Sequence, residues 1–124
     1  MSKEIKKKRI LHVDDDLDTL NVVKTILEKE GFEVVSKSMS KKGLKEVELN
    51  GFDLVILDIM MPDISGWEMF SKIVIIKPNY KIVFLSILNL PDKKIKELKG
   101  MGLIDYITKP FDLHDFVERI KKAL

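Results

Sequence analysis

The sequence predicts an α/β domain built on a five-stranded parallel sheet, and three observations predict it. Apolar runs suited to buried strands alternate with stretches whose apolar residues recur at helical spacing. The connections between them are short. Three of the runs also stop on polar residues: Ile10-Leu11-His12-Val13 on Asp14-Asp15-Asp16, Asp53-Leu54-Val55-Ile56-Leu57 on Asp58, and Lys81-Ile82-Val83-Phe84-Leu85 on Ser86. The carboxyl ends of parallel strands share one edge of an open sheet, and such folds keep their site there.

The elements follow in order. After the first strand, Asp16 can cap a helix from Leu17 to Glu30, with Leu20, Val23, Leu27 and Leu17 facing inward and Gly31 as its stop. Phe32 to Ser36 reads as a short strand, and Lys41 to Leu49 as a weaker helix with Leu44 and Val47 as its apolar points, ended by Asn50-Gly51. The run Leu54 to Leu57 is apolar on consecutive residues, which suits a central strand covered on both faces. Pro62-Asp63-Ile64-Ser65-Gly66 is a loop leading into a helix from Gly66 to about Val74 that carries Trp67, Met69 and Phe70. Its continuation, Ile73-Val74-Ile75-Ile76, has strand propensity. A strand there would pair with its neighbour as a hairpin and break the parallel repeat, so helix is preferred. Ile82 to Leu85 is the next strand, and Pro91-Asp92 opens a lysine-rich helix to Lys99, with Ile95 and Leu98 inward and Gly100 or Gly102 after it. Ile104 to Ile107 is the last strand, Lys109-Pro110 a turn, and Asp112 starts a final helix using Leu113, Phe116, Val117 and Ile120. Right-handed crossovers place the helices of these five βα units on both faces of the sheet, a doubly wound arrangement.

At 124 residues the chain suits one domain with a real core: a basic tail over residues 1–8, then a single domain over residues 9–124. There is no cysteine, which excludes disulfide and thiolate chemistry. The basic residues Lys6 to Arg9 are not followed by a long apolar stretch, so a cytoplasmic protein without membrane attachment is expected. The net charge of +2, from 22 basic and 20 acidic residues, is too balanced to argue for nucleic-acid contact. Lysines gather at Lys93, Lys94, Lys96 and Lys99, and again with Arg119 at Lys121 and Lys122, but each group contains an acid that breaks its field.

If the first and third strands are adjacent, Asp14, Asp15 and Asp58 converge. Like charges that close resist common ionisation and call for a cation. Hard oxygen ligands favour Mg²⁺ or Mn²⁺. Structural zinc is disfavoured, since His12 and His114 have no partner cysteines. A carboxylate beside such a cation can attack phosphorus and form an acyl phosphate. The remaining requirement is charge neutralisation around the phosphoryl oxygens, for which Ser86 and Lys109 stand at the following strand ends. Taken singly these residues have plainer readings: capping or solvation for Asp14 and Asp15, a turn for Asp58, a loop hydroxyl for Ser86, a solvated Lys109. Their joint placement carries the inference. Trp67 and Met69 read as packing residues, and His12 as a satisfied polar residue inside an apolar strand.

In order and spacing, four segments resemble the receiver domain of two-component response regulators of the stand-alone, chemotaxis-regulator type. They are Ile10-Leu11-His12-Val13-Asp14-Asp15-Asp16, then the run from Asp53 through Asp58-Ile59-Met60-Met61-Pro62-Asp63-Ile64-Ser65-Gly66, then Phe84-Leu85-Ser86, and last Asp105-Tyr106-Ile107-Thr108-Lys109-Pro110-Phe111. The resemblance runs from about Arg9 to the C terminus. It implies the flavodoxin-like (βα)5 fold with strand order 2-1-3-4-5. It implies that Asp58 accepts a phosphoryl group from the histidine of a sensor kinase or phosphotransfer protein, in a signalling domain that catalyses its own phosphorylation and dephosphorylation and is not a conventional enzyme. Asp15, Asp58 and the Met60 carbonyl would ligate the metal, with Asp14 acting through water. Ser86 and Lys109 would bind the phosphoryl group, and Tyr106 would move from a more exposed to a more buried rotamer. Pro62 and Gly66 would shape the loop after the acceptor, and Pro110 would follow a cis bond. The altered surface would comprise residues 92–99, 104–107 and 112–123, which brings the lysines near Lys93 into a partner face. A monomer or weak dimer is expected.

The sequence departs from the family pattern after Ser86, where Ile87 stands in place of a small residue. A bulky β-branched side chain at the mouth can hinder phosphodonors or slow the water that hydrolyses a phosphoaspartate. Together with the apolar Met60 and Leu88 it suggests a long-lived phosphorylated state. Two other functions compete: a phosphorylation-independent interaction module that keeps the fold without the switch, and a small hydrolase of the haloacid-dehalogenase type. The hydrolase lacks its second aspartate, because Met60 sits two residues after Asp58, and has no cap domain. The chain ends at Leu124, so its output is expected to be a protein contact, although a piece of a longer regulator would look the same.

Overall fold

The computed structural model describes residues 6–124. The expected basic tail lies partly outside this range; Lys6, Lys7 and Lys8 are exposed and precede the first strand. Strands and helices alternate throughout: β1 (Arg9–Val13), α1 (Leu17–Lys29), β2 (Glu33–Lys37), α2 (Ser40–Leu49), β3 (Leu54–Leu57), α3 (Gly66–Ile76), β4 (Ile82–Ser86), α4 (Asp92–Gly100), β5 (Leu103–Thr108) and α5 (Leu113–Ala123). The sheet order is β2-β1-β3-β4-β5 and every pairing is parallel. This is the flavodoxin-like (βα)5 arrangement.

Burial on both faces explains the consecutive apolar residues of the inner strands. Leu11, Val13, Val55, Leu57, Ile82 and Phe84 pack toward the α2–α3–α4 layer, while Ile10, Leu54, Ile56, Val83 and Leu85 pack toward α1 and α5. Gly43 lets α2 lie close on β1, since a Cβ there would sit 2.6 Å from Val13 Cγ2. Asp16 caps α1 by accepting from Asp18 N at 3.0 Å and from the Thr19 hydroxyl at 2.9 Å. Gly31, at φ +93°, supplies the left-handed turn after it.

Most differences from the sequence reading lie at element ends. The β-branched run after Val74 continues α3 to Ile76, because Met69, Phe70 and Ile73 fall on one buried face and Ser65 caps the start by accepting from Glu68 N. The last turn leaves Ile75 80% exposed. Leu17 and Leu113, expected to face inward, are solvent-exposed instead. Each is the first residue of its helix, one turn before the apolar stripe that reaches the sheet. β5 carries an irregularity between its pairings with Ile82 and Val83, and Ile104, skipped in that register, is exposed.

Candidate functional site

The site is built from loops that leave the carboxyl ends of β1, β3, β4 and β5. Asp14 follows β1 and is completely buried, its N–H donating to Lys37 O at 3.1 Å. Asp58 follows β3, is buried, and donates its N–H to Val13 O at 2.9 Å. Adjacency of β1 and β3 therefore places the two carboxylates side by side. Exposed Asp15 joins them, and one carboxylate oxygen from each of the three lies within 4.8 Å of the others.

Lys109 reaches into this cluster from the end of β5. Its Nζ donates to Asp14 Oδ2 at 2.7 Å and to Asp58 Oδ2 at 3.4 Å. Its backbone N–H donates to Ser86 O at 2.8 Å, and the Lys109-Pro110 peptide bond is cis. Burial acts to raise the Asp14 carboxyl, but the Lys109 ammonium and the Asp16 N–H outweigh it and hold the group at about 2. Asp58 moves the other way. Its burial and the neighbouring Asp14 charge raise it above the usual carboxylate range, and Lys109 only partly opposes them. Burial lowers the Lys109 ammonium, but Asp14 and Asp58 outweigh that and raise it.

Ser86 is fully buried, and its Oγ accepts from Leu88 N at 3.3 Å. The Tyr106 hydroxyl donates to Leu88 O at 2.7 Å, and its ring packs edge-on against Phe84 with centroids 6.1 Å apart. Tyr106 is only 5% exposed, so the ring already occupies an inward position. Two shallow clefts flank the carboxylates. One is bordered by Asp15, Met60, Met61, Trp67 and Leu88, and the other by Asp18, Val22, Ile87, Lys109 and Phe111. Ile87 is 62% exposed, so its bulk stands at the rim of the second cleft.

The loop after Asp58 is fixed in two ways. A Cβ on Gly66 would come within 2.6 Å of Ile59 Cα and would also strike the carbonyl oxygen of Asp58, so only glycine lets α3 start this close to the acceptor strand. Asp63, which the motif reading left without a role, accepts from Ser40 N at 3.2 Å and Lys41 N at 2.9 Å, while the buried Ser40 hydroxyl donates to Ile64 O at 2.6 Å. Asp63 thus caps α2 from another segment, which explains why Met39 needs no capping side chain. Nothing local in the sequence signals a cap supplied over this separation.

His12 corrects the sequence reading: it is completely buried and neither ring nitrogen has a hydrogen-bond partner. Its Nε2 lies 3.7 Å from Asp14 Oδ2, too far for a hydrogen bond. Burial lowers its pKa, so the imidazole is neutral at physiological pH.

The donor set fits a hard divalent cation. Three carboxylates meet where one, Asp58, is costly to ionise, and no soft ligand is among them. Fold and site together define a class: a doubly wound α/β domain that gathers a cation and a lysine around one reactive carboxylate at the sheet edge. The model of the response regulator receiver domain matches residues 10–121, and the chain belongs to that family. Among solved structures, a CheY-like receiver domain protein from Methanospirillum hungatei is 35% identical with a TM-score of 0.86, over 94% of this chain and 93% of that one. The response regulator TrrA from Thermotoga maritima, solved in complex with Mg²⁺ and a beryllium fluoride, is 34% identical with a TM-score of 0.83, over 94% of this chain and 99% of that one. The nisin biosynthesis regulatory protein NisR of Lactococcus lactis is 39% identical over 91% of this chain and 48% of its own length. The chain spans about half the length of the curated relatives it matches.

Proposed function

We propose that this domain is the phosphoacceptor of a two-component pathway, taking a phosphoryl group from a histidine of a sensor kinase or phosphotransfer protein onto Asp58. The convergence of Asp14, Asp15, Asp58 and Lys109 at one sheet edge carries this reading. A carboxylate oxygen of Asp58 attacks phosphorus, the O–P bond forms, and the N–P bond to the donor imidazole breaks with its electron pair going to nitrogen. Asp58, Asp15 and the Met60 carbonyl would hold Mg²⁺ or Mn²⁺, with Asp14 reached through water; when bound, the cation offsets charge on the phosphoryl oxygens. Lys109 turns from Asp14 to a phosphoryl oxygen, and the Ser86 hydroxyl turns from Leu88 N to another. The domain is a switch that acts on itself, with no other substrate to turn over.

The altered loop after β4 would pass the change to a downstream protein at residues 92–99, 104–107 and 112–123, where Ile104 and the lysines of α4 are exposed. A cytoplasmic setting and a monomer or weak dimer complete the proposal, with no direct role for nucleic acid. Among the described residues no helix is long and apolar enough to cross a membrane.

Intact-mass measurement with Mg²⁺ and an acyl or amido phosphate tests the reading. The protein should gain one phosphoryl group, and should gain nothing with EDTA present or after Asp58→Asn. Stoichiometric labelling of Asp58→Asn would refute the acceptor assignment. No labelling of the wild type would leave a phosphorylation-independent interaction module. In the same assay the label should decay faster from Ile87→Ala, because the exposed isoleucine rim shields the phosphoaspartate from water; equal decay removes that role for Ile87.

A further inference from the structure

A histidine inside a central strand is costly where the neighbouring positions are filled by isoleucine, leucine and valine. His12 lies on the face of β1 that carries Ile10 and Asp14, flanked in register by Ser36 on β2 and Ile56 on β3. Among the described residues, the buried side-chain atoms without a hydrogen-bond partner are His12 Nδ1, His12 Nε2 and Ser36 Oγ. The polar atoms that the core leaves unmatched are therefore gathered at one place, directly beneath Asp14.

The geometry at Asp14 shows what they can do. Its Oδ2 takes the Lys109 ammonium at 2.7 Å, and the same oxygen is addressed from below by His12 Nε2 at 3.7 Å. Its Oδ1 is occupied by Asp16 N at 2.9 Å. Phosphorylation of Asp58 adds charge and strong acceptor oxygens, to which Lys109 is drawn. Asp14 is fully buried, and departure of the ammonium takes from its Oδ2 the one hydrogen-bond donor that this oxygen has among the described residues. A neutral imidazole carries one N–H and one acceptor nitrogen. With the proton on Nε2, a small ring movement closes the 3.7 Å gap and brings that donor onto Asp14 Oδ2.

We propose that His12 is a positioning residue for phosphoryl transfer, a reserve donor whose Nε2–H takes Asp14 Oδ2 when Lys109 leaves that oxygen for the phosphoryl group on Asp58. The proton stays on His12 throughout, so no net proton movement accompanies the exchange. The role rests on the phosphoacceptor reading above and adds to it a residue outside the motif that carries that reading.

The test compares His12→Gln, which keeps a terminal donor, with His12→Met, which has nearly the same shape and no donor. Beryllofluoride with Mg²⁺ serves as the phosphoryl mimic, and binding is followed by the fluorescence of Trp67, the single tryptophan, which borders the cleft with Asp15 and Met60. His12→Gln should bind the mimic within about threefold of wild type and His12→Met on the order of tenfold more weakly, the scale of one hydrogen bond to a charged group. Thermal midpoints of the two variants should agree, or favour methionine. Equal affinities for both variants overturn the proposal, as does a weakening that tracks a fall in midpoint. In the wild type, ¹⁵N spectra should place the imidazole proton on Nε2 with and without the mimic; a proton on Nδ1 overturns it without recourse to a variant. Failure of the wild type to bind the mimic at all would instead refute the phosphoacceptor reading.

Discussion

At the scale of single residues, the site holds two carboxylates that their surroundings push in opposite directions. Asp14, held at about 2, is below its ordinary 3.8; the stability it contributes is present above the unfolded value and lost as pH falls through about 2. Asp58 is raised, so its ionisation works against folding: the penalty is absent below the unfolded value of 3.8, grows above it, and is complete once pH passes the folded value. Removing that charge should stabilise the metal-free protein. Asp58→Asn is expected to gain on the order of 1 kcal/mol at neutral pH, the usual scale of a stabilising single change, with the gain vanishing at about pH 4 and below. Urea unfolding of both proteins across that range, with EDTA present, measures it, and a variant no more stable than wild type at pH 7 contradicts the assignment of strain to Asp58. Mg²⁺ should reverse the order, because only the wild type keeps the full ligand set, and at a concentration 100 times its dissociation constant a ligand adds about 2.7 kcal/mol. Asp14, Asp15, Asp58 and Lys109 were legible in the sequence because each closes an apolar run. His12 was not, since its lack of partners depends on which face of β1 it shares with Asp14 and on what β2 and β3 place beside it.

The elements themselves were legible wherever one face of a helix or both faces of a strand are buried. Leu54 to Leu57 matches β3 residue for residue, and the helical reading of α3 succeeds because the spacing of Met69, Phe70 and Ile73 overrides the β-branched propensity of Ile73 to Ile76. What escaped was contact between distant segments, and the clasp between Asp63 and α2 is the main case. Asp63 is held at about 2: burial acts to raise it, and the N–H groups of Lys41, Ile64 and Ser40 together outweigh that. Its charge also faces the positive end of the α2 dipole. Asp63→Ala is expected to cost about 1 kcal/mol, as for loss of an N-cap. By the sign of the shift this contribution is present above 3.8 and disappears as pH falls toward about 2, so the difference between variant and wild type should shrink between pH 5 and about pH 3. Chemical denaturation at the two pH values checks it. A difference that stays constant would mean that Asp63 acts by packing and not by capping.

Across the whole molecule, the sheet order puts the carboxylates over β1 and β3 while the proposed output face lies beyond β4, on α4, β5 and α5. Phe84 lies between them: its ring packs against Trp67 at 5.3 Å and Phe70 at 5.7 Å on one side and Tyr106 at 6.1 Å on the other. β5 is further stapled to α5 by Arg119, which donates to Asp105 Oδ2 at 2.7 Å, to Oδ1 at 2.8 Å, and to Tyr106 O at 2.9 Å. With Tyr106 already inward and β5 pinned on both sides, the part left to move is the segment after β4, whose Leu88 is held by Ser86 Oγ through its N–H and by the Tyr106 hydroxyl through its carbonyl. Recruitment of Ser86 to a phosphoryl group breaks the first of these bonds and leaves the second. Hydrogen exchange with and without Mg²⁺ and beryllofluoride should therefore change most over residues 58–66 and 86–92, with less change over residues 103–108 and 113–123. A dominant change at residues 103–108 would show that β5 and Tyr106 rearrange after all, and that the inward ring found here is not its resting position before phosphorylation.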